Sequence, residues 1–160
     1  MKKLIYLLAV ITLTASCKKN EGEECPDKNE DLGLIFSGVD FGSCIYNLNE
    51  NNFIVRDSVE YVLLQEKINE GKIGDEECTF PEINFDEYSL LGQYAQASGC
   101  TVNFNRNVEV DSTAKQIDYI ISPIGCGECD MLGFSYNFVL VSPKISEDYQ
   151  IFFNGSSKQP

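Results

Sequence analysis

Residues 100–122 read CTVNFNRNVEVDSTAKQIDYIIS, and both ends of this stretch alternate apolar and polar side chains with the period of a β-strand. The polar run of residues 111–115 separates the two alternating segments, so we predict a β-hairpin. Residues that face each other across antiparallel strands share one face of the sheet. The apolar even-numbered positions of the first strand must therefore meet the apolar odd-numbered positions of the second. These positions are Val102, Phe104, Val108 and Val110, interrupted by Arg106, and Ile117, Tyr119 and Ile121.

The rest of the chain carries one helix pattern and further strand patterns. Asp57 and Glu60 form a capping signal, and helix-forming residues continue to Gly71. The apolar face of this helix is formed by Tyr61, Leu64 and Ile68, flanked by Val62 and Leu63. Strand composition occurs in residues 32–42, 53–56, 88–94, 134–142 and 149–153. These patterns predict an α+β fold, in which one helix packs on a mostly antiparallel β-sheet of about six or seven strands, either open or closed into a partly open barrel.

Segment 134–142, FSYNFVLVS, is apolar on both faces. One face carries Phe134, Tyr136, Phe138 and Leu140, and the other carries Val139 and Val141. A strand that is apolar on both faces is typical of the middle of a sheet with both sides covered. We therefore predict a central strand that the helix covers on one side.

The first 17 residues, MKKLIYLLAVITLTASC, have the organisation of a secretory signal. Their apolar segment is too short to span a bilayer as a permanent helix. The small residues before Cys17 resemble the lipobox of bacterial lipoproteins, in which this cysteine is lipidated and becomes the first mature residue; an ordinary signal peptide cleaved nearby is the alternative. The predicted organisation is a signal peptide (1–16), lipidated Cys17 with a flexible acidic tether (17–32), one disulfide-linked globular domain (33–153) and a frayed tail (154–160).

The acidic charge limits the partners of the mature chain. Removal of residues 1–16 takes away Lys2 and Lys3, so the formal net charge of −13 falls by two more, to about −15. Such a surface disfavours nucleic acid and anionic lipid, and we expect membrane attachment through the acyl chains of the N-terminal lipid anchor. The predicted location is outside the cytoplasm, on the bacterial outer membrane, at its periplasmic face or at the cell surface.

Six cysteines follow Cys17, and their even number is typical of a disulfide framework in an exported domain. They are Cys25, Cys44, Cys78, Cys100, Cys126 and Cys129. About 15 connectivities are possible for six cysteines. Cys100 lies on the even-numbered face of the predicted hairpin, and this parity favours Cys129 over Cys126 as its partner. Cys126 would then bond to Cys25, Cys44 or Cys78.

The motif GCGEC at residues 125–129 has two other interpretations. A zinc site is disfavoured because the chain has no histidine and only one Cys-x-x-Cys half-site. A thiol–disulfide oxidoreductase would use Cys126 and Cys129, but a motif of that kind stands at the start of a helix, whereas strand-like residues follow here. The acidic neighbours Glu128 and Asp130 also disfavour a thiolate. We predict structural disulfides and keep the oxidoreductase as the alternative function.

Other routes to catalysis are hard to assemble from these residues. Without histidine there is no Ser-His-Asp or Cys-His arrangement, and no Gly-rich phosphate loop occurs. We predict no cofactor and no metal site, although the acidic residues of 27–33 leave calcium binding open. Several aromatic residues could line a peptide or glycan groove, while strand periodicity favours the core. They are Tyr46, Phe53, Tyr88, Tyr94, Tyr136, Phe138, Phe152 and Phe153.

Three landmarks follow one another along the chain: the helix, FDEYSLLG (85–92) and NFVLVSPK (137–144). Together they resemble the C-terminal domain of PrcB-type lipoproteins, whose namesake is an accessory subunit of a bacterial surface protease complex. The residues that carry the resemblance, over roughly 53–153, are Phe85, Asp86, Leu90, Leu91, Val139, Val141, Pro143 and Lys144. The sequence departs from the pattern at Gly99-Cys100, in place of a Gly-Tyr pair, and at Ser142. The landmarks form sheet, so the resemblance implies a fold and no active site.

The sequence as a whole predicts a non-catalytic, lipid-anchored module that binds a protein or polymer outside the cytoplasm. An exposed strand edge could accept a strand of the partner, a mode that needs only main-chain groups. The resemblance implies one class of partner, an exported protease served by an accessory subunit or inhibitor. The competing class is an enzyme, either a thiol–disulfide oxidoreductase or an acid–base hydrolase.

Overall fold

A computed structural model describes residues 29–45, 48–72, 78–127, 129 and 131–155, which form one α-helix and eight strands. The elements are β1 (Asp31–Gly33), β2 (Ile35–Val39), a 3-10 helix (Gly42–Cys44), β3 (Asn52–Val55), α1 (Ser58–Gly71), β4 (Ser89–Ser98), β5 (Thr101–Asp111), β6 (Gln116–Cys126), β7 (Leu132–Val141) and β8 (Gln150–Gly155). The strands make two four-stranded sheets. We call the sheet β2-β7-β4-β3 the front sheet and the sheet β1-β5-β6-β8 the back sheet.

Strands β4 to β7 form one long antiparallel ribbon that is folded across its middle. β4 pairs with β7 along its whole length, and β5 pairs with β6 in the same way. Between these two halves, one side of the ribbon has the two residues 99–100 and the other has the five residues 127–131. The fold brings the half made of β4 and β7 face to face with the half made of β5 and β6. We call the crossing point the ribbon bend.

The predicted hairpin is the β5–β6 half of this ribbon, and its register confirms the parity prediction. Val108 lies opposite Tyr119, and Val110 lies opposite Ile117, so even-numbered apolar residues meet odd-numbered ones. Pro123 does not end β6. It lies beyond the part of β6 that pairs with β8, where a proline removes no ladder hydrogen bond on that side.

Two apolar clusters cover the two faces of the front sheet. The cluster between the sheets joins Leu91, Ala95, Val139 and Val141 to Phe104, Val108, Ile117, Tyr119 and Ile121. The cluster on the outer face joins Tyr61, Leu64 and Ile68 of α1 to Phe41, Phe53, Val55, Leu90 and Phe138. β7 is therefore the central strand that its two apolar faces predict, with the helix on one side and the back sheet on the other.

Helix α1 begins at the predicted cap. The Asp57 carboxylate accepts hydrogen bonds from the backbone N–H groups of Val59 and Glu60, both at 2.8 Å. The Glu60 carboxylate accepts a bond from the N–H of Arg56 at 2.6 Å, so the first turn is satisfied from both directions. The described part of the chain contains no helix that is long and apolar enough to cross a membrane.

The strand count and arrangement differ from the prediction. The described residues hold eight strands in two facing sheets, instead of six or seven in one sheet or a partly open barrel. Two of the pairings, β1 with β5 and β6 with β8, are parallel. Alternating apolar residues identify strands, but they do not specify which sheet a strand joins. The bend in the ribbon, which divides the strands between two sheets, depends on contacts between distant residues.

The first strand begins inside the segment predicted as a tether, because Asp31 is paired with Arg106. The Arg106 Nε lies 2.6 Å from Asp31 Oδ1, and Nη2 lies 2.9 Å from Asp31 Oδ2, a two-point ion pair. Nη1 of the same guanidinium donates to the carbonyl of Phe138 at 3.4 Å. Arg106 therefore links β1, β5 and β7 at one side of the two-sheet sandwich. At the other end of the chain β8 continues to Gly155, two residues past the predicted domain boundary.

Candidate functional site

The cysteines of the Cys-x-x-Cys motif belong to different disulfides. Cys129 bonds to Cys100 across the ribbon bend, with 4.9 Å between the Cα atoms, and this is the pair that strand parity favours. Cys126 is also disulfide-bonded, and its partner is not among the described residues. A further disulfide joins Cys44 to Cys78, with 5.7 Å between the Cα atoms. Disulfides such as these indicate an oxidising, extracytoplasmic environment.

The two glycines of GCGEC allow the sides of the ribbon bend to approach closely. A Cβ atom at Gly125 would collide with the carbonyl oxygen of Ser98. Gly127 has φ of +78°, and a Cβ there would lie 2.7 Å from the Cys100 sulfur. Glycine tolerates both the backbone conformation and the close approach. The motif thus covers the end of β6, at Gly125 and Cys126, and the first part of the longer side of the ribbon bend, which leads to β7.

Strand β7 is covered along only part of its length on the side away from β4. β2 pairs with residues 138–141 of β7. Among the described residues, no strand pairs with residues 132–137 on that side. We call the backbone of residues 132–137 on this side the open edge.

The hydrogen bonds of the front sheet show which backbone groups face the open edge. The N–H of Tyr94 donates to the carbonyl of Asn51 at 2.7 Å, so even-numbered residues of β4 point toward β3 and odd-numbered residues point toward β7. Odd-numbered residues of β4 pair with odd-numbered residues of β7. The even-numbered residues of β7 therefore direct their N–H and C=O groups away from β4. At the open edge these residues are Leu132, Phe134 and Tyr136.

The chain that would continue β2 along the open edge turns away after Val39. The Asp40 carboxylate accepts a hydrogen bond from the N–H of Gly42 at 2.7 Å, and Gly42 has φ of +63°. Phe41 is only 3% exposed and packs in the cluster beneath α1. The next turn is fixed by the disulfide from Cys44 to Cys78. The turn, the buried ring and the disulfide together keep this segment off the open edge.

A cleft of about 260 Å³ lies between the open edge and this turn. Phe134, Ser135 and Tyr136 form one wall, and residues 39–42 with Ile45 form the other. Tyr94 extends the aromatic surface, since its ring centroid lies 5.1 Å from that of Tyr136 and 6.3 Å from that of Phe134. Phe134 is 54% exposed and Leu132 is 57% exposed, although both are large apolar residues.

The side chain of Tyr136 is held in place in the wall of the cleft, and its hydroxyl is uncharged. Its hydroxyl donates to the carbonyl of Leu48 at 2.8 Å, and burial raises the pKa of Tyr136. Among the described residues that line the cleft, Asp40 is the only charged one. The carbonyl of Tyr136 accepts a hydrogen bond from the Ser135 hydroxyl at 3.3 Å, a weak contact that an added strand can replace. The arrangement offers backbone groups that no described strand pairs with, aromatic surface and one carboxylate, which suits the binding of an extended peptide.

The other residues that the sequence analysis names lie partly outside the described ranges and partly in the core or at the surface. Residues 1–16, Cys17, Cys25 and Tyr46 lie outside the described residues, so lipidation of Cys17 stays a prediction. No group of three or more His, Cys, Asp or Glu side chains in the described ranges is arranged to hold a metal ion. The aromatic residues divide between core and surface: Phe53 and Phe138 are buried, Tyr88, Tyr94, Tyr136 and Phe153 are half-buried, and Phe152 is exposed.

The two apolar faces of β7 predict a strand that the helix covers on one side, but they do not indicate where along the strand this cover ends. The apolar cluster beneath α1 buries Phe138 and leaves Phe134 exposed. The strand and helix patterns give no separate role to Asp40, Phe41 or Leu132. The one local signal is the Asp-Phe-Gly order of residues 40–42, since Asp followed by Gly two places later is typical of a turn.

Comparison of the chain with protein-family models, with curated proteins and with solved structures gave no match. Most residues that carry the resemblance to PrcB-type lipoproteins are buried core residues: Phe85, Leu90, Leu91, Val139 and Val141. The residue types at such buried positions are determined by packing. Function is therefore inferred from the geometry of the open edge and the cleft.

Proposed function

We propose that this chain is a non-catalytic binding module, lipid-anchored outside the cytoplasm, that takes up an extended segment of a partner protein as an added strand on β7. The observation that carries the proposal is the open edge of residues 132–137 beside a cleft with aromatic walls. An added strand would supply hydrogen-bond partners to the outward N–H and C=O groups of Leu132, Phe134 and Tyr136.

The dimensions of the open edge set the size of the ligand. Six residues of strand span about 20 Å, which suits a partner segment of about six residues. Each main-chain hydrogen bond contributes about 0.5–1.5 kcal/mol net, so backbone pairing alone gives modest affinity. Alternate side chains of the added strand would enter the cleft and provide selectivity. The disulfides at Cys44 and Cys100 hold both sides of the site in place, which reduces the entropy lost on binding.

Two variants of Leu132 test strand addition, because its side chain is exposed and its N–H faces the open edge. L132P replaces the leucine side chain by a smaller ring and removes the N–H, whereas L132A shortens the side chain and keeps the N–H. Neither change touches the pairing with β4, since that N–H points away from it. The mature protein and both variants are panned against a displayed library of random peptides. We expect peptides that bind the natural protein and L132A and that bind L132P at least tenfold more weakly.

Equal binding of these peptides to L132P, or no enriched peptide at all, would contradict strand addition. Circular dichroism and the melting temperature of each variant show whether it is folded. The same pair of variants then serves in pull-downs from cell-envelope extracts. A partner that L132A captures and L132P does not is one that binds the open edge. The sequence resemblance implies that this partner is an exported protease.

The lipid anchor at Cys17 is supported by the lipobox-like sequence. Intact-mass measurement of the mature, detergent-extracted protein tests it. We expect the mass of residues 17–160 with acyl chains added and with the six other cysteines oxidised. An unmodified Cys17 would contradict the lipid anchor, and it would have no bearing on the proposed binding at the open edge.

Thiol–disulfide exchange through Cys126 and Cys129 is the competing hypothesis. It requires a pair of cysteines that is readily reduced to thiols in the native protein. Titration of native protein under mild reducing conditions distinguishes the two functions. A pair that is reduced well before the fold is lost would favour the oxidoreductase, and resistance of all disulfides to the same conditions would favour the binding module.

A further inference from the structure

We infer that the strand added to the open edge carries a large apolar side chain opposite Tyr136 and a lysine or arginine one or two positions N-terminal to it. This inference rests on the proposed strand addition and concerns which peptide the site selects. The partner of the open edge is therefore an extended protein segment that carries both a basic and a large apolar side chain.

The apolar preference follows from the direction of side chains in a sheet. In an antiparallel pair, opposite residues place their side chains on the same face. A residue opposite Tyr136 would direct its side chain to the outer face of the front sheet, where the cleft lies between Phe134, Tyr136 and Phe41. Filling a cleft with aromatic walls removes apolar surface from water. We expect a leucine or aromatic residue in this position to bind at least tenfold more tightly than alanine.

The cationic preference follows from Asp40. It is exposed, and its Oδ1 accepts a hydrogen bond from the N–H of Gly42, which leaves acceptor capacity on the carboxylate for a ligand. No basic residue in the described ranges lines the cleft. The whole chain carries a formal charge of −13, so the long-range field also attracts a cation.

The position of the cation follows from the register of β2. Val39 lies opposite Phe138, so Asp40 comes one step further along, near the level of Asn137. Every pairing in the front sheet is antiparallel, and we expect the added strand to continue this pattern. Such a strand begins near Asn137 and runs toward Leu132. Its basic residue, close to Asp40, therefore precedes the apolar residue opposite Tyr136.

A second copy of this chain is a poorer occupant of the open edge. Segment 131–137, MLGFSYN, offers aromatic residues but no lysine or arginine, and two copies would bring together two acidic surfaces. Charge complementarity therefore favours a different, basic partner. A dimer through the open edge is an outcome that the experiment can detect.

The test uses the mature protein, its variant D40N and a positional-scanning library of acetylated, amidated octapeptides. Asparagine keeps an oxygen that can accept the hydrogen bond from Gly42, so D40N removes the charge and retains the turn. We expect Lys or Arg to be selected one or two positions before a large apolar residue. D40N should bind the selected peptide about 2- to 5-fold more weakly. It should bind a peptide with norleucine in place of the basic residue as well as the natural protein does, because norleucine retains the stem and lacks the charge.

The outcomes separate the two proposals. If peptides bind the natural protein and fail to bind L132P, but show no basic or apolar preference, the inference is overturned and strand addition stands. Equal weakening of the basic and the norleucine peptides by D40N also overturns the inference. If no peptide binds, or L132P binds as well as L132A, strand addition itself is overturned. A dimer in sedimentation experiments that L132P dissociates would assign the open edge to a second copy and overturn the inference as well.

Discussion

Replacing both Cys100 and Cys129 by serine removes the cross-link at the ribbon bend, and the loss of stability can be worked from the length of chain that it closes. The two cysteines are 29 residues apart. In the chain-entropy description, a closed loop of this size restricts the unfolded chain by about 12 cal/mol/K, or about 3.6 kcal/mol at 25 °C. Cys100 is exposed, so serine leaves no cavity in the core. We expect the free energy of unfolding to fall by about 3–4 kcal/mol.

Urea unfolding followed by circular dichroism, without reductant, measures this loss. The slope of the free energy against urea concentration should increase, because the unfolded chain becomes less compact when the cross-link is absent. Ser98→Ala and Ser122→Ala are matched controls, since both residues are exposed and lie in β4 and β6, the strands that lead into the ribbon bend, and each should change the free energy by about 0.5 kcal/mol or less. A loss below about 1 kcal/mol in the double variant would refute the cross-link as a major restraint and leave strand pairing and the disulfide of Cys126 to hold the bend.

Three further changes test the fold around the site. D31N removes one partner of the two-point ion pair with Arg106 and should cost about 1–3 kcal/mol in urea unfolding, whereas D148N, at an exposed ion pair, should leave the free energy unchanged. D57A removes the cap of α1 and should cost about 1 kcal/mol in the same assay; no loss would contradict the capping role. Burial raises the pKa of Tyr119 in the folded protein, so above pH of about 10 the unfolded chain loses the proton first and stability falls as pH rises, while below that pH it is unaffected. Y119F should reduce this alkaline loss in unfolding measured between pH 8 and 11, and an identical pH dependence would contradict it.

Elements that depend on neighbouring residues could be predicted from the sequence. The β5–β6 hairpin follows from two alternating segments around a polar turn, and its register places Val108 opposite Tyr119 as parity requires. The start of α1 follows from the spacing of Asp57 and Glu60. The two apolar faces of β7 likewise indicate a central strand, because both faces need cover. In each case the signal and the structure involve the same few residues.

The division into two sheets and the open edge depend on distant residues. At the ribbon bend, the two residues 99–100 on one side lie against the five residues 127–131 on the other, and the ribbon folds at this mismatch. No periodicity in the sequence indicates this difference in length. The exposure of Phe134 depends on how far α1 reaches. A 14-residue helix is about 21 Å long, whereas a 10-residue strand is about 33 Å long, so α1 is too short to cover all of β7. The other wall of the cleft depends on the disulfide between Cys44 and Cys78, and no pattern in the sequence predicts that these two cysteines bond to each other.

Amide hydrogen exchange along β7, resolved by residue with NMR, tests the open edge most directly and needs no partner. The N–H groups of Gly133 and Ser135 should be protected because they face β4, while those of Phe134 and Tyr136 should exchange rapidly because they face the open edge. A bound peptide should then protect Phe134 and Tyr136. Protection of Phe134 and Tyr136 in the protein alone, equal to that of Gly133 and Ser135, would show that the edge is already paired and would contradict the proposed binding mode.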